Sequence, residues 1–81
     1  MYLEIITPER NVFKGIVDSA TFPGSDGSFQ VLNNHAPMIS SLAKGNLTYT
    51  TGKEEKTIIV DGGVVEVLNN NIVVLAEKVI E

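Results

Sequence analysis

The sequence predicts an all-β domain: a small antiparallel β-sandwich of two sheets built from about eight to ten short strands. Three observations carry this. Apolar residues recur with a period near two, the spacing of side chains on one face of a strand. Clusters of Gly, Pro, Asn, Asp and Ser punctuate the chain roughly every six to ten residues, as turn chemistry requires. No stretch keeps the 3.6-residue period of an amphipathic helix.

The elements follow in order. LEIIT (3–7) sets Leu3 and Ile5 opposite Glu4, and Pro8 ends the strand because it has no N–H to donate. NVFKG leads into IVDSATF (16–22), whose facing is ambiguous because Asp18 shares a face with Ile16, Ala20 and Phe22; a bulge or an edge position is expected there. PGSDG (23–27) is a turn, SFQVL a strand and NNHAP a second loop. MISSL (38–42) and KGNLTYTT read as two further strands, and TGKEEK (51–56) as a polar hairpin connection. TIIVD, a Gly62–Gly63 bend and VVEVL come next. Asn69–Asn71 forms a turn, since Asn tolerates the left-handed region. IVVLA (72–76) is continuously apolar, so it is buried on both faces or covered by something. The expected inward set is Leu3, Ile5, Phe22, Phe29, Val31, Leu47, Tyr49, Ile59, Val65, Val67, Val73 and Leu75.

The totals narrow the function. At 81 residues the chain is a single domain, and one of this size buries only roughly 60–65% of its unfolded surface. Yet 43% of its residues are apolar and its mean hydropathy is +0.14, which points to surplus apolar surface available to a partner. A net charge of −4, a pI near 4.8 and the lack of a basic cluster argue against nucleic acid. No run is long and apolar enough to span a bilayer, and MYLEIITPER does not resemble a signal peptide. The absence of cysteine fits a reducing compartment.

No catalytic constellation is visible. The only histidine, His35, lies in Asn33-Asn34-His35-Ala36-Pro37, and no serine carries a nucleophile-elbow motif. One His with no Cys does not make a zinc site, and Ser25-Asp26-Gly27-Ser28 is too poor in carboxylates for calcium. The same loop lacks the spacing and the following helix of a phosphate cradle. A loop histidine of this kind is first a hydrogen-bonding turn residue. Composition and spacing thus give an acidic all-β module with a binding or assembly role, and no cofactor or metal is expected.

The run PGSDGSFQVLNNHAPMISSLAKGNLTY followed by VDGGVVEVLNNNIVVLAE closely resembles the N-terminal β-sandwich of the epsilon subunit of F-type ATP synthases. The resemblance rests on Pro23-Gly24-Ser25-Asp26-Gly27, Val31-Leu32, His35-Ala36-Pro37, Leu42, Gly45, Gly62-Gly63, Glu66-Val67 and Val73 to Glu77, in that order, and covers nearly the whole chain. It implies a non-catalytic rotor part that links the gamma subunit to the membrane ring of c subunits and couples proton flow to ATP synthesis. By position, Thr7, His35, Ala36, Pro37, Met38 and Ser40 resemble the gamma-facing part, and Gly24, Ser25, Asp26, Gly27 and Ser28 the ring-facing loop. Ser28 stands where many relatives carry an acid or a bulkier polar residue. The resemblance is to a short form: most relatives continue past VLAE into a helical hairpin, and this sequence stops at Glu81. The implied location is peripheral, on the cytoplasmic face of a bacterial inner membrane, with membrane contact only through the complex. The competing reading is a stand-alone β-module that binds a small molecule or another protein, or an enzyme with a site in the SDG–NNH loops.

Overall fold

The computed structural model describes all 81 residues, and every regular element in it is a strand. These are β1 (Tyr2–Ile6), β2 (Asn11–Ile16), β3 (Ser19–Gly24), β4 (Gly27–Leu32), β5 (Met38–Thr51), β6 (Glu54–Leu68), β7 (Asn71–Ala76) and β8 (Val79–Ile80). The all-β expectation holds. Instead of two separate antiparallel sheets, hydrogen bonds link seven strands in one continuous path, β2-β1-β7-β6-β5-β3-β4, with β8 joined to β6. One pair, β1 with β7, is parallel.

The two long strands explain how one ladder encloses a core. MISSL and KGNLTYTT merge into β5, and TIIVD and VVEVL merge into β6. Gly62 (φ 81°) and Gly63 (φ 133°) bend β6 at mid-length, in backbone conformations that side chains disfavour. Beyond the bend, Gly63–Leu68 pairs with β7 and with Met38–Leu42; before it, Glu54–Asp61 pairs with Lys44–Thr51, and Ile59 and Val60 also pair with β8. The first wing is therefore β2, β1, β7, the end of β6 and the start of β5. The second is β4, β3, the rest of β5, the start of β6, and β8. Buried residues from both wings form one cluster of 17. Phe13 of the first wing packs on Tyr49 of the second, with ring centroids 4.4 Å apart, within the range of favourable aromatic pairs.

Register decides which side chains fill that core. Leu3, Ile5, Phe22, Val31, Leu47, Tyr49, Val65 and Val67 are buried as expected, and Phe29 packs partly against them. Ile59, Val73 and Leu75 are corrections. Val65 pairs with Val74 and Val67 with Ile72, so Ile72, Val74 and Ala76 point inward and Val73 and Leu75 outward. Likewise Ile58 and Val60 are buried, and Ile59 is not.

The ambiguity at Asp18 also resolves. The chain leaves β2 at Ile16 and enters β3 at Ser19, so Ile16 and Phe22 lie on different strands. Asp18 sits between them as a clip: its N–H donates to Thr50 O (2.8 Å), and its Oδ2 accepts from Gly52 N–H (2.9 Å). That holds the tip of the β5–β6 hairpin, whose turn is only Gly52-Lys53. Asn69 (φ 51°) and Asn70 (φ 63°) form the two-residue β6–β7 turn, the backbone type that matches strand twist.

Candidate functional site

Ser25-Asp26 forms the exposed tip of the β3–β4 hairpin, closed by the Gly24–Gly27 pair. Gly27 (φ 127°) supplies the positive-φ turn, and the buried Gly24 leaves no room for a side chain, since a Cβ there would meet Gly27 O at 2.6 Å and Phe29 at 2.9 Å. The tip is tied to β5: Ser25 N–H donates to Ser41 O (3.0 Å), and Ser41 Oγ donates to Ser25 Oγ (2.9 Å). Asp26 and Ser28 are both exposed, so the loop presents a single acid to any partner.

His35 lies in the β4–β5 loop. Its N–H donates to Leu32 O (3.2 Å), and Nδ1–H donates to Ala36 O (2.7 Å). Its ring makes no hydrogen bond or ion pair with a carboxylate or a serine, and its bonds are those of a turn residue. Asn34 (φ 65°) shapes the loop, and its N–H donates to Asn70 Oδ1 (2.9 Å). Thr7 closes the β1–β2 turn: Oγ1 accepts from Glu9 N–H (3.3 Å) and Arg10 N–H (3.1 Å). No group of three His, Cys, Asp or Glu residues is placed to hold a metal ion.

Pairing brings these positions onto one wing without making them neighbours. Ile6 pairs with Leu75, Leu75 with Val64, and Val64 with Ser41. Thr7 therefore lies at the end of the wing that carries Ser41 and the Ser25 tip. Met38 pairs with Val67 toward the other end, so Thr7 and His35 are on the order of 20 Å apart by strand spacing and rise. Met38 packs against the core, and Ser40 shares the inward register with Val65.

Most of the surplus apolar surface appears on the outward register of this wing. Ile39 (69% exposed), Ile16 (68%), Leu75 (55%), Leu68 (49%) and Val64 (39%) all face out, joined by the half-buried Ile6 and Val73. A cavity of about 360 Å³ lined by Ile6, Thr7, Pro8, Leu75, Ala76 and Glu77 indents one end. A shallower one, lined by Pro37, Met38, Ile39, Glu66, Val67 and Leu68, indents the other. The outer face of the second wing is mixed: Gln30, Thr21, Thr48 and Thr57 stand in one cross-strand row, Thr48 and Thr57 are hydrogen-bonded through their hydroxyls (2.9 Å), and the exposed Leu32, Ile59 and Ile80 lie beside that row. The outer face of the first wing is the more continuously apolar of the two, with Ile39, Val64, Leu68, Val73 and Leu75 on three adjacent strands. Sequence reasoning missed Ile39, Val64 and Leu75 as surface residues, because they become one patch only through long-range pairing.

The family model for the ATP synthase Delta/Epsilon chain β-sandwich domain matches residues 1–81. The chain belongs to this family. It is 41% identical over 75 residues to an ATP synthase epsilon chain of Leptospira borgpetersenii, covering 93% of this chain and 59% of that one. With an ATP synthase epsilon chain of Nitratidesulfovibrio vulgaris it shares 44% identity over 78 residues, covering 96% and 58%. This epsilon-family chain thus spans somewhat more than half the length of those curated relatives. In fold it superposes on a chain of the Euglena gracilis mitochondrial ATP synthase OSCP/F1/c-ring structure with a TM-score of 0.90 at 18% identity, covering 96% of this chain and 51% of that one. A chain of the Tetrahymena thermophila mitochondrial ATP synthase central stalk/c-ring structure gives 0.83 at 17%, covering 99% and 65%.

Proposed function

We propose that this chain is a non-catalytic rotor subunit of an F-type ATP synthase, joining the gamma subunit to the c ring at the cytoplasmic face of a bacterial inner membrane. The single observation that carries the reading is the apolar outer face of the first wing, which holds five of the eight exposed large hydrophobic side chains. A free-standing module gains nothing from exposing Ile39, Ile16, Leu75, Leu68 and Val64 on one sheet face, whereas a subunit that packs on a stalk does. In this reading gamma covers the apolar face, with His35 to Ser40 and Thr7 at its two ends. The Gly24–Ser28 hairpin reaches past the edge of that face toward the polar loops of the ring. No step of chemistry is assigned to the chain; it transmits torque by being rigid and attached at two places.

A two-armed experiment tests this. Ile39→Asp puts a charge where an apolar contact is expected and should weaken binding to the cognate gamma subunit by at least about tenfold in a titration. Asp26→Lys should leave that affinity unchanged, but lower proton-driven ATP synthesis in the reassembled complex. Undiminished gamma binding by Ile39→Asp would remove the basis of the proposal.

A further inference from the structure

The apolar face is interrupted at its centre by a charge that nothing on this chain neutralises. Glu66 is exposed on β6 and stands directly opposite Ile39 on one side and Val73 on the other. Along its own strand the residues on the same face are Val64 and Leu68. All four neighbours are apolar. The face carries one other central acid, Glu4, on the far side of Val73, and Lys14 pairs with it at 3.8 Å. Glu66 makes neither an ion pair nor a side-chain hydrogen bond.

Covering this face with a partner takes Glu66 out of water together with its apolar surround. An ionised carboxylate buried without a partner is among the costliest features an interface can contain. The opposing surface must therefore compensate it, and a hydrogen bond from a cation does so most strongly. We infer that the partner patch seated on this face is apolar with one lysine or arginine at its centre, and that Glu66 is the residue that recognises it. The inference rests on the docking reading above, with gamma as the partner. Apolar contacts from Ile39, Val64, Leu68 and Val73 then form the water-excluding surround that makes one charge pair count. Glu66 thereby fixes the register in which two otherwise greasy surfaces meet.

The test is a titration of the cognate gamma subunit with the full chain and three variants: Glu66→Gln, Glu66→Lys and, as the control for the docking reading, Ile39→Asp. Glu66 is solvent-facing, so thermal unfolding should show Glu66→Gln folded with little change in Tm. The expected result is a loss of affinity of at least about tenfold for Glu66→Gln and more for Glu66→Lys. Affinity for Glu66→Lys should be recovered when one particular lysine or arginine of gamma is changed to Glu in a charge-reversal scan. Weak binding by Ile39→Asp with wild-type affinity for Glu66→Gln would overturn the recognition role while leaving the docking face standing. Wild-type affinity for Ile39→Asp would overturn the docking reading, and the recognition role with it.

Discussion

Tyr49 is the clearest case of a single residue whose chemistry depends on the fold. Its ring lies against Phe13 in the core, and burial pushes the phenol above its ordinary value of 10.0, with the Glu81 carboxylate adding to the effect. Both causes disfavour the phenolate. Below pH 10 the folded and unfolded chains both keep the proton, so this group's stabilisation is fully present. As pH rises past the unfolded value, the unfolded chain ionises first, and stability falls until the folded value is passed. Tyr49→Phe removes that liability and keeps the ring contact. Its Tm at neutral pH should stay close to that of the parent, and its Tm should drop less between neutral pH and about pH 11. Equal alkaline losses in the two proteins would mean that Tyr49 is not the group responsible. Asn70 works differently: its left-handed backbone makes a turn, its carbonyl accepts from Tyr2 N–H (3.1 Å), and its side chain accepts from Asn34 N–H. One residue thus binds the start of β1 and the His35 loop to the same turn.

At the scale of elements, the bend in β6 is what turns a ladder into a closed core. A Cβ on Gly63 would run into the Leu75 carbonyl oxygen and lie 2.9 Å from Ala76 Cα, and the φ of 133° adds backbone strain for any other residue. Gly63→Ala should cost about 2–4 kcal/mol in urea unfolding, or prevent folding altogether; a loss under about 0.5 kcal/mol would show that the bend tolerates a side chain. Such elements differ in how much of them the sequence makes legible. Alternation around Leu3-Glu4-Ile5 and Val65-Glu66-Val67 announces both strand and facing, because a polar residue marks the outer side. The Asn69-Asn70 turn and the Gly62-Gly63 bend announce themselves through residues that accept positive φ. Ile58-Ile59-Val60 and Ile72-Val73-Val74-Leu75 carry no such mark, and the partner strand alone sets which half is inside. The parallel β1–β7 pair and the two-residue β8 leave no local signature either, since both depend on distant chain arriving alongside. For the same reason the hairpin and the His35 loop could be found as segments, while the face between them could not. Ile39, Val64, Leu75 and Ile6 come from four strands and meet only when all four have paired.

For the whole molecule, the proposed role asks a domain of 81 residues to carry load between two partners. The hairpin tip and the apolar face are not separate modules, since Ser25 at the tip is bonded to Ser41, which stands in the same cross-strand row as Val64, Leu75 and Ile6. Force applied at Asp26 therefore reaches the face through one backbone hydrogen bond, one hydroxyl pair and the Gly24–Leu42 pairing. Ser25→Pro removes the first two and leaves the third, at the first position of a tight turn, where proline is accepted. The net loss of stability should stay within about 1.5 kcal/mol, because a surface hydrogen bond contributes little and proline restricts the unfolded chain. Affinity for gamma should also hold, since the apolar face is untouched. What should fall is coupling: proton-driven ATP synthesis in the reassembled complex drops while the ATP hydrolysis rate does not. A variant with parent-like synthesis would show that the Ser25–Ser41 link bears no load, and that the tip is held by the strand pairing alone.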